Sequence, residues 1–200
     1  MQYVIGIDEV GRGSLAGPVI VTALAVPKGL GFRNKALGML KDSKQLTPAA
    51  REKWSNYTKK HPHVFYATAR VQPHVIDRIN ISNAANLAAF RAFNKLSKRY
   101  KLNPNSCSVY LDGGLYLKSK KSQARTAKTI VRGDEKIPAI SLASIVAKVS
   151  RDRLMVRLAK EYPKYGFEVH KGYGTKIHRT ALRKYGPSGA HRLTFIDRIA

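Results

Sequence analysis

Short apolar runs rich in β-branched residues predict three strands in the first third of the chain. The first is YVIGID, from Tyr3 to Asp8, and glycines end it. The second is PVIVTALAVP, bounded by Pro18 and Pro27. The third, HVFYATARV at 63–71, alternates aromatic and small residues. Three such runs in succession predict neighbouring strands of one sheet.

Helical spacing dominates the segments between and after these strands. A helix is predicted after Thr47, with Thr47 as its N-cap and Pro48 at its first position. A second is predicted over 82–100 and a third, opened by a proline, over 138–162. In the second helix large apolar residues recur on one predicted face: Leu87, Phe90, Phe93 and Leu96.

Two further strands are predicted in the second half of the chain. SVYLDGG predicts a strand that ends in Asp112, and AKTIVRGD predicts one that ends in Asp134. Consecutive strands followed by helix–strand alternation predict an α/β fold, with helices packed on a mixed sheet. No repeat or low-complexity linker interrupts the chain, so a single domain over 1–200 is predicted.

The charge balance indicates a polyanionic partner. Lys and Arg number 37 against 12 Asp and Glu, giving a net charge of +25, while a hydrophobic fraction of 44% can form a core. Nucleic acid is the natural partner of such a chain. No membrane association is expected, because no segment has the length or amphipathic character for it. The single cysteine, Cys107, allows no internal disulfide and suits the cytoplasm.

The few carboxylates lie at informative positions. Asp8, Asp112 and Asp134 each end a predicted strand, and Glu9 follows the first of them. Ligands bind at strand ends in α/β folds. Carboxylates gathered there would repel one another unless cations compensated, and two divalent ions are the usual device for phosphodiester hydrolysis. Oxygen ligands favour Mg²⁺ or Mn²⁺.

Strand geometry raises an objection to this prediction. Adjacent residues of a regular strand point to opposite faces, so Asp8 and Glu9 cannot both reach one site from an ideal strand. The strand is therefore expected to end or bend there, which Gly11 and Gly13 would permit. The competing interpretation is that the two acids only cap a loop.

Several motifs, in order along the chain, resemble those of the ribonuclease HII family, the type 2 ribonucleases H. They extend from residue 4 to about 196: GIDEVGRGSLAGPV, DSKQLTP, YLDGG, RGDEKIPAISLASIVAKVSRDRLM, HKGYGT and GPSGAHRLTF. The resemblance implies an RNase H-like mixed five-stranded sheet flanked by helices. It also implies a C-terminal helical portion over about 163–200 that binds substrate.

The resemblance assigns roles by position. Asp8, Glu9, Asp112 and Asp134 match the family's four metal-binding, catalytic carboxylates. Asp152, a rival for the fourth place, lies between two arginines and is interpreted as half of a structural ion pair.

The resemblance also assigns substrate contacts. Gly11, Arg12 and Gly13 match a GRG motif that recognises the ribonucleotide 2′-hydroxyl and nearby phosphates, a contact that separates RNA from DNA. Tyr173 matches a tyrosine that stacks on the next sugar and senses an RNA-to-DNA junction. Two residues match positions near the backbone phosphates, Ser43 and Lys44. A basic track along the duplex is expected to include Thr175, His178, Arg179 and Lys184.

The implied activity is endonucleolytic hydrolysis of RNA in RNA–DNA hybrids, including incision 5′ of a single ribonucleotide in duplex DNA. It would leave 3′-hydroxyl and 5′-phosphate ends, with Mg²⁺ or Mn²⁺ as cofactor and a monomer as the expected state. Ribonuclease HIII is a rival, but its additional N-terminal domain would need room before the strand at Tyr3. A non-catalytic basic RNA-binding protein is a second rival. An ATPase of the wider superfamily is a third, although the sequence contains no P-loop.

Overall fold

The computed structural model describes residues 2–31, 33–34, 37–40, 43–117 and 127–197. Its strands are β1 (Tyr3–Val10), β2 (Val19–Pro27), β3 (Arg33–Asn34), β4 (Gly38–Met39), β5 (Phe65–Val71), β6 (Ser108–Asp112) and β7 (Ala127–Ile130). Its helices are α1 (Pro48–Lys60), α2 (Pro73–Ile79), α3 (Ile81–Tyr100), α4 (Gly133–Lys136), α5 (Pro138–Glu161), α6 (Phe167–His170), α7 (Lys176–Tyr185) and α8 (Leu193–Ile196). Short 3₁₀ turns lie at Pro104–Ser106 and Pro163–Tyr165.

Five strands form the mixed sheet that the sequence predicts, in the order β5-β2-β1-β6-β7. β2 pairs antiparallel with β1 and β5, whereas β6 pairs parallel with β1 and β7. The pairing of β1 with β2 continues to Val10 opposite Ile20, but its pairing with β6 ends at Ile7 opposite Leu111. The short β3–β4 pair was not predicted.

The two faces of β1 carry different helices. Ile5 and Ile7 belong to a core cluster with the buried side of α3. On the opposite face α5 approaches so closely that a Cβ built at Gly6 would lie 2.2 Å from the carbonyl carbon of Ala139. Only glycine permits this contact, which fixes the distance between α5 and the strand that carries Asp8.

The predicted helix starts are confirmed to within a residue. The Thr47 hydroxyl accepts a hydrogen bond from the Ala50 N–H at the start of α1, and α5 begins at Pro138. The buried face of α3 includes the predicted Phe93 and Leu96, but Leu87 and Phe90 are only half-buried. Alanines dominate the buried face instead: Ala84, Ala85, Ala88, Ala89 and Ala92. Small side chains let the helix lie close to the sheet.

The C-terminal helices enclose the loop that follows β1. The Leu15 N–H donates to the Gly172 carbonyl at 2.8 Å, and the Gly17 N–H donates to the Ala190 carbonyl at 2.8 Å. Leu15 also packs in a core cluster with side chains of α5 and α7. The loop therefore depends on residues from the far end of the chain. Whether residues 163–200 act as the substrate-binding portion stays a prediction.

Two buried histidines connect these segments as neutral rings. His191 Nδ1 accepts the Ser188 N–H at 2.9 Å, so its proton lies on Nε2, which is 3.0 Å from His178 Nε2. His178 Nδ1 then donates to the Tyr173 carbonyl at 3.0 Å. Burial is the main cause that lowers the pKa of each ring to about 4. A proton added at His178 Nε2 would place two N–H groups against each other.

We expect these histidines to make the fold acid-sensitive between pH 6.5 and about 4. In this window the unfolded chain binds protons that the folded rings do not, so the free energy of unfolding falls as the pH falls. Urea denaturation across the window, in wild type and in His191→Gln, measures this contribution. The variant should show a shallower slope, because it lacks one of the two titrating rings.

The raised pKa of Asp8 has the opposite effect, since it makes the free energy of unfolding rise as the pH falls. The slopes of wild type and His191→Gln are therefore compared, because their difference isolates the histidine contribution. His74→Asn, at an exposed histidine, is the matched control and should leave the slope unchanged. Equal slopes in wild type and His191→Gln would contradict the assignment of neutral, buried rings.

Among the described residues, no helix combines the length and the apolar character needed to cross a bilayer.

Candidate active site

Three predicted carboxylates meet at one edge of the sheet. Asp8 and Glu9 lie near the end of β1, and Asp112 is the last residue of the neighbouring strand β6. One oxygen of each side chain lies within 4.8 Å of the others. This separation lets a single divalent cation contact all three groups.

The prediction that the strand ends or bends at Asp8 is wrong, since β1 continues through Glu9 to Val10. The two side chains begin on opposite faces, as strand geometry requires. Asp8 accepts a hydrogen bond from Ser144 of α5 and from the Glu9 N–H, at 2.8 Å for the latter. Glu9 lies towards Arg12, which also bonds Ser82 of α3. The two carboxylates nevertheless lie close together, at the point where the pairing of β1 with β6 has ended.

Asp134 reaches the site from a helix rather than from a strand end, which corrects the sequence prediction. β7 ends at Ile130, and Arg132 turns the chain with φ 53° before α4 begins. Asp134 therefore lies in the first turn of α4. The Gly133 N–H donates to Asp112 Oδ1 at 2.7 Å and attaches this turn to the acidic cluster. Asp134 itself lies outside the close group of three.

All ten predicted site residues line one cleft of about 330 Å³. They are Asp8, Glu9, Gly11, Arg12, Gly13, Ser43, Lys44, Asp112, Asp134 and Tyr173. A separate cavity of about 370 Å³ beside α7 and α8 contains one carboxylate in its lining, that of Asp197. Of these two, the first combines clustered acids with a glycine-rich loop.

The acidic cluster is electrostatically suited to a cation. Burial, above all, raises the pKa of Asp8 well above its ordinary value, and the charges of Glu9 and Asp112 act in the same direction. Burial also raises the pKa of Glu9, although Arg12 opposes the shift. Glu9 Oε2 is buried and has no hydrogen-bond partner among the described residues. A bound divalent cation would satisfy this oxygen and offset the repulsion.

The glycine-rich loop presents its backbone to the cleft. Gly11 adopts φ 84°, a conformation that favours glycine. A Cβ built at Gly13 would meet no atom within 4 Å, so the cleft is open above this residue. The Arg12 guanidinium lies 3.3 Å from Glu9 Oε1 and partly neutralises that carboxylate.

The other predicted substrate contacts have protein partners as well. Lys44 Nζ lies 2.9 Å from Asp134 Oδ2, with the lysine exposed and the aspartate buried. The Ser43 hydroxyl is buried and lies 2.9 Å from the Ser144 hydroxyl. Tyr173 is 38% exposed and lines the cleft.

Ser144 and Lys148 also line the cleft and were not predicted as site residues. Both lie on α5, where polar side chains at 141, 144, 148 and 151 follow helical spacing, and the residues between them up to Val149 are apolar and buried. This polar stripe was the signal available in the sequence. Ser144 connects Ser43 to Asp8, and Lys148 adds a positive charge to the lining of the cleft.

Two further sequence expectations are wrong. His178 belongs to no exposed basic track, because its ring is 0% exposed and stacks on His170. Asp152 forms no ion pair with the two flanking arginines in the described part of the chain. Arg153 pairs with Glu52 instead, at 2.6 Å, and Arg151 turns inward.

The fold and cleft define the class of protein, that of the type 2 ribonucleases H. The crystal structure of ribonuclease H2 from Pyrococcus horikoshii OT3 superposes with a TM-score of 0.74 at 27% identity, covering 98% of this chain and 96% of that one. A structure of Bst-RNase HIII in complex with Mn²⁺ shares the fold, with a TM-score of 0.73 at 20% identity over 99% of this chain and 69% of that one.

Sequence comparison identifies the family within this class. The sequence model of ribonuclease HII matches residues 5–198. Ribonuclease HII from Caldicellulosiruptor bescii is 41% identical over 198 residues, covering 99% of this chain and 88% of that protein. The chain belongs to the ribonuclease HII family. It is a ribonuclease H of type 2, an endonuclease that acts on RNA–DNA hybrids, and its acidic cluster indicates use of a divalent metal.

Proposed function

We propose that this endonuclease incises duplex DNA 5′ of a single embedded ribonucleotide, in addition to cleaving RNA–DNA hybrids. The observation that carries the proposal is the shared cleft, in which the acidic cluster lies directly beside the Gly11–Gly13 loop. A phosphodiester held against the acids would have its neighbouring sugar against the loop. Backbone amides and the 2′-hydroxyl can then distinguish ribose from deoxyribose.

Two divalent ions, Mg²⁺ or Mn²⁺, fit the donor set as cofactors. Asp8, Glu9 and Asp112 would hold one ion between them, and Asp134 would contribute to the second together with the shared carboxylates. Bound ions would activate the attacking water and stabilise the leaving oxygen, so that 3′-hydroxyl and 5′-phosphate ends result.

The remaining cleft residues position the substrate. Ser144 donates to Asp8 and keeps this carboxylate oriented towards the cleft. Lys44 and Lys148 supply positive charge for phosphates on the side of α5. Tyr173 is 38% exposed and lines the same cleft, where its ring can stack on the sugar that follows the ribonucleotide. We further propose that the enzyme acts as a cytoplasmic monomer.

Membership of a ribonuclease family favours this proposal over the non-catalytic RNA-binding protein. A binding protein would have no need for a carboxylate cluster that contains the buried Asp8 and a buried Glu9 oxygen without a hydrogen-bond partner among the described residues, because this arrangement costs free energy of folding unless a cation is bound.

Incubation with defined duplexes tests the proposal. Three labelled substrates are compared: DNA with one ribonucleotide, the matched all-DNA duplex and an RNA–DNA hybrid, each with Mn²⁺, Mg²⁺ or EDTA. We expect incision 5′ of the lone ribonucleotide and cleavage of the hybrid with either metal, and none with EDTA or in all-DNA. Cleavage of the hybrid alone would refute the single-ribonucleotide activity while leaving the ribonuclease intact.

A further inference from the structure

Arg192 holds the glycine-rich loop from the side opposite the cleft. Its side chain is 0% exposed and does not line the cleft. Nη2 donates to the Gly11 carbonyl at 2.7 Å, Nη1 donates to the Arg12 carbonyl at 2.9 Å, and Nε donates to the Gly17 carbonyl at 3.0 Å. One guanidinium therefore fixes two successive peptide groups of the loop and also the carbonyl of Gly17, which lies just before β2.

These hydrogen bonds determine the direction of the amides that face the substrate. In a trans peptide the carbonyl and the following N–H point in opposite directions, and cis peptides are absent from the described chain. Because the Gly11 and Arg12 carbonyls point at Arg192, the N–H groups of Arg12 and Gly13 point away from it. Gly11, Arg12 and Gly13 line the cleft and Arg192 does not, which indicates that these N–H groups face the cleft.

At Arg192, hydrogen bonds to backbone carbonyls take the place of an ion pair. No carboxylate lies within salt-bridge distance of its guanidinium among the described residues, and Arg151 is buried beside it. Arg151 in turn donates to the carbonyls of Ala16, Pro18 and Lys171. Burial, and then the charge of Arg151, lowers the pKa of Arg192 to about 9, so the cation persists at neutral pH. The charge of Asp77 acts on Arg192 and that of Asp152 on Arg151, but among the described residues neither cation has a carboxylate in salt-bridge contact. Burying two cations in this way is costly for folding alone, which favours a functional role.

We propose that Arg192 is a positioning residue for ribonucleotide recognition, because its guanidinium orients the Gly11–Gly13 amides towards the 2′-hydroxyl and the adjacent phosphate. This inference rests on the proposed function of the loop. It assigns ribose selectivity partly to a residue that does not touch the substrate. The shape of the guanidinium is essential, since a lysine ammonium retains the charge but cannot span the three carbonyls.

Arg192→Lys tests this role through a ratio of affinities. Binding is measured by fluorescence anisotropy for two duplexes, one with a single ribonucleotide and one all-DNA, with Ca²⁺ replacing the catalytic ion. Wild type should prefer the ribonucleotide duplex. In Arg192→Lys the preference should fall about tenfold or to none, as expected for misdirected hydrogen bonds, while all-DNA affinity is retained because the charge is retained.

Two controls separate positioning from general damage. Arg183→Lys makes the same exchange at an exposed arginine of α7, and Leu96→Ala destabilises the buried core far from the loop. Both should keep the wild-type ratio. If Arg192→Lys does not fold, the same ratio of affinities is measured in Asp77→Asn, and we expect it to fall there too. The Asp77 carboxylate accepts the N–H groups of Leu193 and Thr194 and so anchors the residues next to Arg192.

The outcomes are distinguishable. A preference that is present in wild type and unchanged in Arg192→Lys, or unchanged in Asp77→Asn where that variant is used, overturns the inference alone. An equal loss of affinity for both duplexes also overturns it, because that is the signature of a structural role. Absence of any preference in wild type refutes the proposed function of the loop instead.

Discussion

Asp8→Asn is expected to reduce cleavage by about a thousandfold or more, equivalent to about 4 kcal/mol of transition-state stabilisation. The asparagine oxygen can still accept the hydrogen bonds from Ser144 and from the Glu9 N–H, so the local structure should persist. The substitution removes a negative charge that the site uses to bind a cation. Steady-state cleavage of an RNA–DNA hybrid in Mn²⁺ measures the loss.

Thermal stability distinguishes this loss from misfolding. Without metal the variant should be at least as stable as wild type, since the buried member of three mutually repelling carboxylates is gone. Added Mn²⁺ should raise the melting temperature of wild type and have little effect on Asp8→Asn. Asp152→Asn makes the same exchange outside the cleft and should retain full activity. Full activity of Asp8→Asn would refute the assigned site.

Gly6→Ala is expected to destabilise the fold by about 3 kcal/mol or more, which lowers the melting temperature by roughly 10 °C. The added Cβ would lie 2.2 Å from the Ala139 carbonyl carbon and 2.3 Å from the Ile140 nitrogen. Both are backbone atoms, so α5 itself must move. Calorimetric or fluorescence melting curves give the change directly.

Activity should fall together with stability in Gly6→Ala, because displacement of α5 moves Ser144 away from Asp8. Gly31→Ala is the matched control. Gly31 has no positive φ and a Cβ there would meet nothing within 4 Å, so the melting temperature should stay the same or rise slightly. Equal melting temperatures for the two variants would contradict the close approach of the α5 backbone to Gly6.

Much of the fold could be predicted from the sequence because its signals are local. The apolar run that begins at Tyr3 and the Thr47–Pro48 helix start depend on neighbouring residues, and both are confirmed. Only part of the buried face of α3, Phe93 and Leu96, could be predicted from residue size. Close packing against the sheet selected alanines over Leu87 and Phe90, and that selection depends on tertiary distance.

The sequence predicted which residues form the site better than it predicted how those residues are arranged. Asp8, Asp112 and Asp134 were found because they follow apolar runs, and all three line the cleft. The sequence did not show that β6 pairing stops one residue before Asp8, nor that Arg132 starts a helical turn before Asp134. Arg192 gave no local signal, since its partners lie about 180 residues away along the chain.

The hydrogen bonds from Arg192 to Gly11 and Arg12 also order events during synthesis. The loop after β1 leaves the ribosome early, whereas the residues that hold it, at 172, 190 and 192, are added near the end. Strands β1 and β6, which carry the acidic residues, can pair in a partly made chain, but the loop after β1 acquires its final shape only on completion. A nascent or shortened chain therefore carries the catalytic carboxylates without the ordered loop, and if the loop has the role proposed for it, sugar selection is the last property that the enzyme acquires as it folds.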